Sequence, residues 1–140
     1  HKSRNSIIAN RAGVKMFVNH DLDSLVIKST NAMVSYQVGE NVKLTYSQEF
    51  PNILEFKNQS ILIVDSLGIY NVKNLKNPIV ILQYSPKINL ERLIKTLQPT
   101  QIIADGNNYK SYINTWEKTC REQKTPFHQT GQNGAYILRE

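Results

Sequence analysis

Alternating apolar and polar positions characterise the first half of the chain and predict β-strands. Residues 33–46 alternate on both sides of the turn residues 39–41, which predicts a β-hairpin with one buried face. Residues 53–64 alternate in the same way and predict a second hairpin that turns at Asn58 and Gln59. Shorter segments predict two strands within 6–19, on either side of Ala12 and Gly13, and a third strand at 24–29.

The apolar pattern changes period in the second half. Residues 79–84 form an almost continuous apolar run, which favours a strand that is buried on both faces. Residues 89–97 then follow helical spacing, with Asn89 as the expected N-cap and Pro99 closing the segment. The apolar positions of this predicted helix are Leu90, Leu93, Ile94 and Leu97.

A further strand and helix follow. Residues 100–105 predict another buried strand, and Asn107 or Asn108 is the expected cap of the next helix. A last strand is predicted at 134–139, after a turn at residues 131–134. This order predicts an α/β (α+β) fold with a β-rich N-terminal half and two main helices packed on one face of a sheet. The apolar stripe of the second helix is Tyr109, Tyr112, Ile113, Trp116 and Cys120.

Length and charge limit the possible classes of protein. A chain of 140 residues suits one domain, and its start at His1 leads us to expect a soluble domain, 1–140, excised from a longer protein. A single cysteine excludes an internal disulfide and a cysteine zinc cluster. The net charge is +6, and residues 71–140 hold ten basic and five acidic residues. A basic half of this kind suits nucleic acid or anionic lipid, or simply solvated helix faces.

Two groups of residues have the chemistry of a site but favour a structural role. His20, Asp21 and Asp23 have metal-ligand side chains, yet they lie between two strands, where aspartates commonly make turns. Cys120 and His128 could form a nucleophile pair. However, Cys120 belongs to an apolar helix stripe, where a thiol behaves as a small hydrophobic group.

Aspartates at strand ends and a group of cations are the remaining candidates. Asp65 and Asp105 each follow an apolar strand, and they could bind a divalent cation if those strands are neighbours, or else cap turns and helices. The glycines at 131 and 134 lack the spacing of a phosphate-binding loop. A basic surface that includes the aromatic residues Tyr70 and Tyr84 is the only indication of nucleic-acid binding. Its members are Lys73, Lys76, Lys87, Arg92 and Lys95.

The last 44 residues, 97–140, resemble the closing segment of the metallo-β-lactamase-like domain of ComEC-type competence proteins. Those are integral membrane proteins associated with passing single-stranded DNA into the cell. The resemblance implies a shortened metallo-β-lactamase-like sandwich. The matching residues are Leu97, Pro99, Ile102, Ile103, Asn107, Tyr109, Trp116, Thr130, Gly134 and Ala135.

The same resemblance locates the catalytic motif of the family, and this chain lacks it. In the complete family domain, the strand matching 79–84 runs into H-x-H-x-D-H, whose residues serve a two-metal hydrolytic site. If Leu93 matches the leucine that closes this region, Glu91 and Arg92 replace two glycines. The four motif positions then fall on Tyr84, Pro86, Ile88 and Asn89. The resemblance therefore implies a domain without catalysis and without a cofactor.

Our sequence-based hypothesis is a non-catalytic accessory domain of a membrane channel for DNA uptake in transformation. We expect it to contact single-stranded DNA, other competence proteins and the membrane-embedded part of the same chain. We expect the full protein in the inner membrane, with this domain on its outer, periplasmic side. One alternative is a divergent nuclease that holds a single metal with Asp65, Asp105 and His128. The other is a purely structural or oligomerisation module.

Overall fold

The structure, a computed structural model, describes residues 7–11, 14–30, 33–46 and 52–139. These residues form eleven strands and three helices. The strands are β1 Ile7–Arg11, β2 Val14–Asn19, β3 Ser24–Thr30, β4 Met33–Gly39, β5 Leu44–Tyr46, β6 Ile53–Phe56, β7 Gln59–Val64, β8 Ile79–Leu82, β9 Gln101–Ala104, β10 Phe127–Gln129 and β11 Tyr136–Arg139. The helices are α1 Leu90–Leu97, α2 Lys110–Glu122 and α3 Thr130–Asn133.

The strands form two sheets. Sheet A has the order β1-β2-β4-β3-β11, in which β2 and β4 are parallel and the other pairs antiparallel. Sheet B has the order β10-β9-β8-β7-β6-β5. Its first four strands are parallel, and β6 and β5 add to them in antiparallel fashion. The parallel strands end at a common edge, where α/β proteins usually bind ligands.

Sheet B is the central layer, with sheet A on one face and the helices on the other. Ile81 and its inward-facing neighbours pack with residues of sheet A, such as Ile27. Leu82 and the residues of sheet B that face the same way pack with apolar residues of α1 and α2, including Leu93 and Trp116. Every residue of β8 is buried, which confirms the expectation of a strand covered on both faces.

The first predicted hairpin is wrong, because β4 and β5 belong to different sheets. Strand β4 pairs with β2 and β3, whereas β5 pairs with β6. Both Val42 and Leu44 pack against the core between the sheets, so the alternating pattern reports the buried face correctly. That pattern does not identify the partner strand, since a strand of either sheet presents the same face to this core.

The second hairpin and the last strand are confirmed. Strands β6 and β7 pair antiparallel, with Phe56 opposite Gln59, so the turn lies at Lys57 and Asn58, one residue earlier than predicted. Strand β11 joins the edge of sheet A beside β3. The turn expected at residues 131–134 is largely the short helix α3. The α+β class, with a β-rich N-terminal half and two main helices in the C-terminal half, is also confirmed.

The two main helices begin differently. The Asn89 side chain caps α1 by accepting a hydrogen bond from the Arg92 N–H at 3.0 Å, as predicted. The cap prediction for α2 is wrong, because the N-cap is Tyr109 and no side chain of its own caps the helix. The Asn108 side chain instead bonds to the carbonyl oxygens of Leu82 and Asp105.

Candidate functional site

Four polar residues lie in one row where the parallel strands of sheet B end. The strand register places Val64, Leu82 and Ala104 side by side, so the residues that follow them are also level with one another. Alternation along each strand turns these following residues toward sheet A. The row consists of Asp65, Gln83, Asp105 and Thr130. It occupies the position in the fold where ligand sites are expected.

Asp105 is fully buried and ties the two sheets together. Its Oδ2 accepts a hydrogen bond from the Tyr36 hydroxyl at 3.0 Å, and its Oδ1 accepts one from the Asn107 N–H at 2.9 Å. Burial raises the pKa of the carboxyl to about 6, although both hydrogen bonds act in the opposite direction. Burial and then the nearby Asp105 charge raise the pKa of Tyr36 well above its usual value. Tyr36 therefore acts as a hydrogen-bond donor at neutral pH.

The loop after β9 docks directly on sheet A. Ser29 Oγ accepts a hydrogen bond from the Gly106 N–H at 2.9 Å and also hydrogen-bonds to the Thr130 hydroxyl. A Cβ on Gly106 would lie 2.9 Å from both Cβ and Oγ of Ser29, so the close approach requires glycine. These contacts hold the end of the row against β3.

The loops after β8 and β9 are joined by reciprocal hydrogen bonds. The Ser85 N–H donates to Asn108 Oδ1 at 2.8 Å, and the Tyr109 N–H donates to Ser85 Oγ at 2.8 Å. The Tyr84 N–H also donates to the Asn107 carbonyl oxygen at 2.7 Å. Tyr84 and Ser85 have left-handed backbone conformations, with φ of 59° and 49°. This network fixes both loops and supplies α2 with the cap that its own sequence lacks.

The residues at the four positions that match the H-x-H-x-D-H motif of the family lie in the connection between β8 and α1, where most of them make structural contacts. Pro86 is buried, Ile88 packs against the helical core of sheet B, and Asn89 caps α1. Tyr84 is 53% exposed at the edge of the sheet. Proline and isoleucine side chains carry no atom that could coordinate a metal, so these positions do not fit the two-metal site of the complete family domain.

The alternative metal set is spread along the edge of sheet B. Asp65 and Asp105 follow β7 and β9, which are separated by β8, so their backbones lie about 10 Å apart. Asp65 Oδ1 accepts the Leu67 N–H at 3.0 Å, and His128 Nε2 hydrogen-bonds to the Gly134 carbonyl oxygen at 2.8 Å. Across the described ranges, no three His, Cys, Asp or Glu side chains come together in a group able to hold a metal ion.

The two other candidate groups have the structural roles that the sequence favoured. Asp21 accepts the Asp23 N–H through Oδ1 and pairs with Arg139, within a turn between β2 and β3. Its pKa is lowered, first by that backbone hydrogen bond. Cys120 is buried in the helical core, and burial raises the pKa of its thiol to about 12. A protonated, buried thiol is not a nucleophile at neutral pH.

The cations of the predicted basic surface belong to two connections whose apolar residues pack on the helical side of sheet B. All five cations are exposed. Lys73 and Lys76 come from the β7–β8 connection, and the other three from the connection that contains α1. The Lys95 ammonium lies 3.3 Å from Glu91 Oε2, which partly neutralises it. No ion pair involves the other four within the part of the chain that the structure describes.

Two clefts flank the N-terminal half of α2. One, about 480 Å³, lies between this helix and residues 86–89, and Tyr112 and Trp116 form its apolar wall. The other, the amide cleft, has a volume of about 430 Å³ and lies at the ends of β9 and β10. The amide cleft is lined by Asp105, Gly106, Asn108, Lys110, Ile113, Asn114, Gln129, Gly131 and Gln132.

Sequence reasoning missed the amide cleft and the partner of Asp105. The side-chain amides of the cleft come from the loop after β9 and from α2, β10 and α3, and Tyr36 lies 69 residues from Asp105. The available signal was the clustering of Asn and Gln in the two segments 105–109 and 129–133, which flank α2. Tyr36 gave only the period-2 signal of a buried strand position.

Comparison with known proteins identifies a family. The family model described as the ComEC C-terminal domain matches residues 1–140. No curated protein and no solved structure matches the chain. In the described residues, the helices are all too short or too polar to cross a bilayer.

Proposed function

The chain belongs to the ComEC C-terminal domain family, and from this premise we propose that it is a non-catalytic accessory domain that contacts single-stranded DNA. The family places the chain in a membrane protein of competence and DNA uptake. In such a protein, a domain beside the channel would guide the strand through weak electrostatic contacts with its phosphates.

The exposed basic surface carries this proposal. Lys73, Lys76, Lys87 and Arg92 project from two successive connections on one face of sheet B. Positive charges on neighbouring connections attract a polyanion over an extended surface. They do not form a single binding pocket.

We propose no catalytic reaction, because the residues at the four positions that match the H-x-H-x-D-H motif of the family do not fit a metal site. Loop 83–89 uses its polar groups to bind the neighbouring loop and to cap α1. We propose that this loop is a reduced form of the metal loop and that the two packed sheets are a shortened metallo-β-lactamase-like sandwich. The packing of α1 and α2 on the outer face of sheet B supports that relationship.

The family membership leads us to expect a particular side of the membrane and particular partners for the domain. We propose that the domain lies on the periplasmic side of the inner membrane, with the membrane-embedded part of its own protein and other competence proteins as partners. A protease added to intact spheroplasts tests this side. It should cleave exposed loops of the domain, and full protection of the domain would reverse the assignment.

Charge reversal tests the DNA contact. In one variant Lys73, Lys76 and Lys87 are changed to Glu, and in a matched control Lys43, Lys118 and Lys124 are changed to Glu. Both variants alter the net charge equally, and all six lysines are exposed. Binding of fluorescent single-stranded DNA at low salt should weaken at least tenfold in the first variant and much less in the control. Equal losses would indicate only non-specific charge attraction, and unchanged binding would remove the proposed surface.

A further inference from the structure

We propose that the amide cleft and the neighbouring Tyr109 ring bind bases of a single-stranded nucleic acid. This inference rests on the proposed function, but it concerns different residues from those of the basic surface. It also predicts a different kind of contact, since the basic surface binds phosphates whereas the cleft and the ring would bind bases.

The amide cleft has unused hydrogen-bonding capacity. Asn114 on α2, Gln129 on β10 and Gln132 on α3 all line it, and none of these three side chains hydrogen-bonds to another described residue. The Asn108 amide, by contrast, is fully occupied by Leu82, Ser85 and Asp105. Side-chain amides present a donor and an acceptor together, as the edges of nucleobases do.

The charges of the cleft favour a neutral ring inside it and an anion outside. Asp105 is one of the residues that line the cleft, so a phosphate within the cleft would lie near a buried carboxyl group of like charge. Lys110, which is exposed at the start of α2, supplies a cation to the same cleft. A nucleotide could bind with its base in the cleft and its phosphate beside Lys110. The negative charge would then lie next to the cation and away from Asp105. At about 430 Å³, the cleft is within the size range of small-ligand sites.

Tyr109 supplies an aromatic surface at the start of α2, where its chain neighbours Asn108 and Lys110 line this cleft. The residue is 69% exposed and does not itself line the cleft. Its N–H is held by Ser85 Oγ at 2.8 Å, and its ring meets that of Tyr112 edge to face, with centroids 5.7 Å apart. A fixed and exposed aromatic ring is the usual platform on which a base of a single strand stacks.

Two sets of variants of the 140-residue chain test this site. Tyr109→Ala and the double variant Asn114→Ala/Gln132→Ala each alter exposed side chains, so thermal unfolding should change little. Each should weaken binding of a single-stranded oligonucleotide about tenfold. Tyr109→Phe keeps the ring and should retain affinity. Ser111→Ala, on the same turn of α2 but outside both clefts, is the matched control and should also bind normally.

Other outcomes separate this inference from the proposed function. If reversal of the basic surface weakens binding while the Tyr109 and amide variants bind normally, the base site is wrong and the DNA contact stands. If the chain binds no oligonucleotide, both fail.

The amide cleft is also tested directly by NMR. Titration with the four deoxynucleoside monophosphates should shift the backbone signals of Lys110, Asn114 and Gln129. No shift there with any of the four would overturn the site. Shifts with an N-acetylglucosamine oligosaccharide in place of nucleotides would overturn it in favour of a glycan.

Discussion

The Tyr36 hydroxyl donates a hydrogen bond to Oδ2 of Asp105 across 3.0 Å, and both residues are buried between the sheets. Tyr36 belongs to sheet A, whereas Asp105 directly follows strand β9 of sheet B. Since a buried carboxyl without partners is costly, this pair helps to fix the edge of sheet B against sheet A. The amide cleft and the fixed loops lie at that same edge.

Asp105 should make stability depend on pH. Its pKa in the folded chain, about 6, is above the ordinary value of 3.8, so the folded state holds the proton more tightly. The resulting stabilisation is complete below about pH 3.8 and is lost as the pH rises to about 6. The free energy of unfolding should therefore fall by about 3 kcal/mol over this range relative to Asp105→Asn.

Urea denaturation of both proteins at intervals from pH 3.5 to 7 measures this difference. Subtracting the Asp105→Asn values removes contributions that the two proteins share. A difference that stays constant with pH would show that the carboxyl titrates normally in the folded chain.

Asn108 should be far more important for folding than Asn107. Asn108→Ala would leave two carbonyl oxygens and the Ser85 N–H without their partner, which should cost about 3 kcal/mol of unfolding free energy. The Asn107 side chain makes no hydrogen bond within the described residues, so Asn107→Ala should cost less than about 0.5 kcal/mol. Chemical denaturation of the two variants makes the comparison, and equal losses would refute the role assigned to Asn108.

Gly39 should not tolerate a side chain. A Cβ there would lie 2.2 Å from the Asp21 carbonyl oxygen and 2.5 Å from backbone atoms of Leu22, so the turn would have to move. Gly39→Ala should destabilise the chain by about 3 kcal/mol or more. Gly131→Ala is the control, because this glycine is helical and a Cβ on it would meet no atom within 4 Å. It should leave the melting temperature unchanged or slightly raised. Similar losses in both variants would contradict the tight packing assigned to Gly39.

Periodicity predicted the elements of this fold better than their partners. The pattern of residues 79–82 and the spacing of α1 identified a buried strand and a capped helix, since both signals are local. The pairing of β5 with β6 is a tertiary choice between two sheets that share a core, and alternation does not report it.

The residues of the candidate site were also predictable only where the signal in the sequence is local. The exposed cations could be identified from the sequence, because charged residues rarely lie buried. The contact of Tyr36 with Asp105 could not, because it joins residues from different sheets. The hydrogen bond from the Tyr109 N–H to Ser85 Oγ, which caps α2, was not predictable either. It joins two loops that come together only in the folded sheet.

We propose that the chain binds single-stranded DNA through charge and without a metal. Titration with a fluorescent oligonucleotide at several salt concentrations, with EDTA and then with manganese or zinc, tests it most directly. We predict binding that is the same with and without metal, with an affinity that falls steeply with salt, by about 0.7 in logarithmic slope per phosphate contact. Cleavage of the strand, binding that requires metal, or no binding at low salt would contradict it.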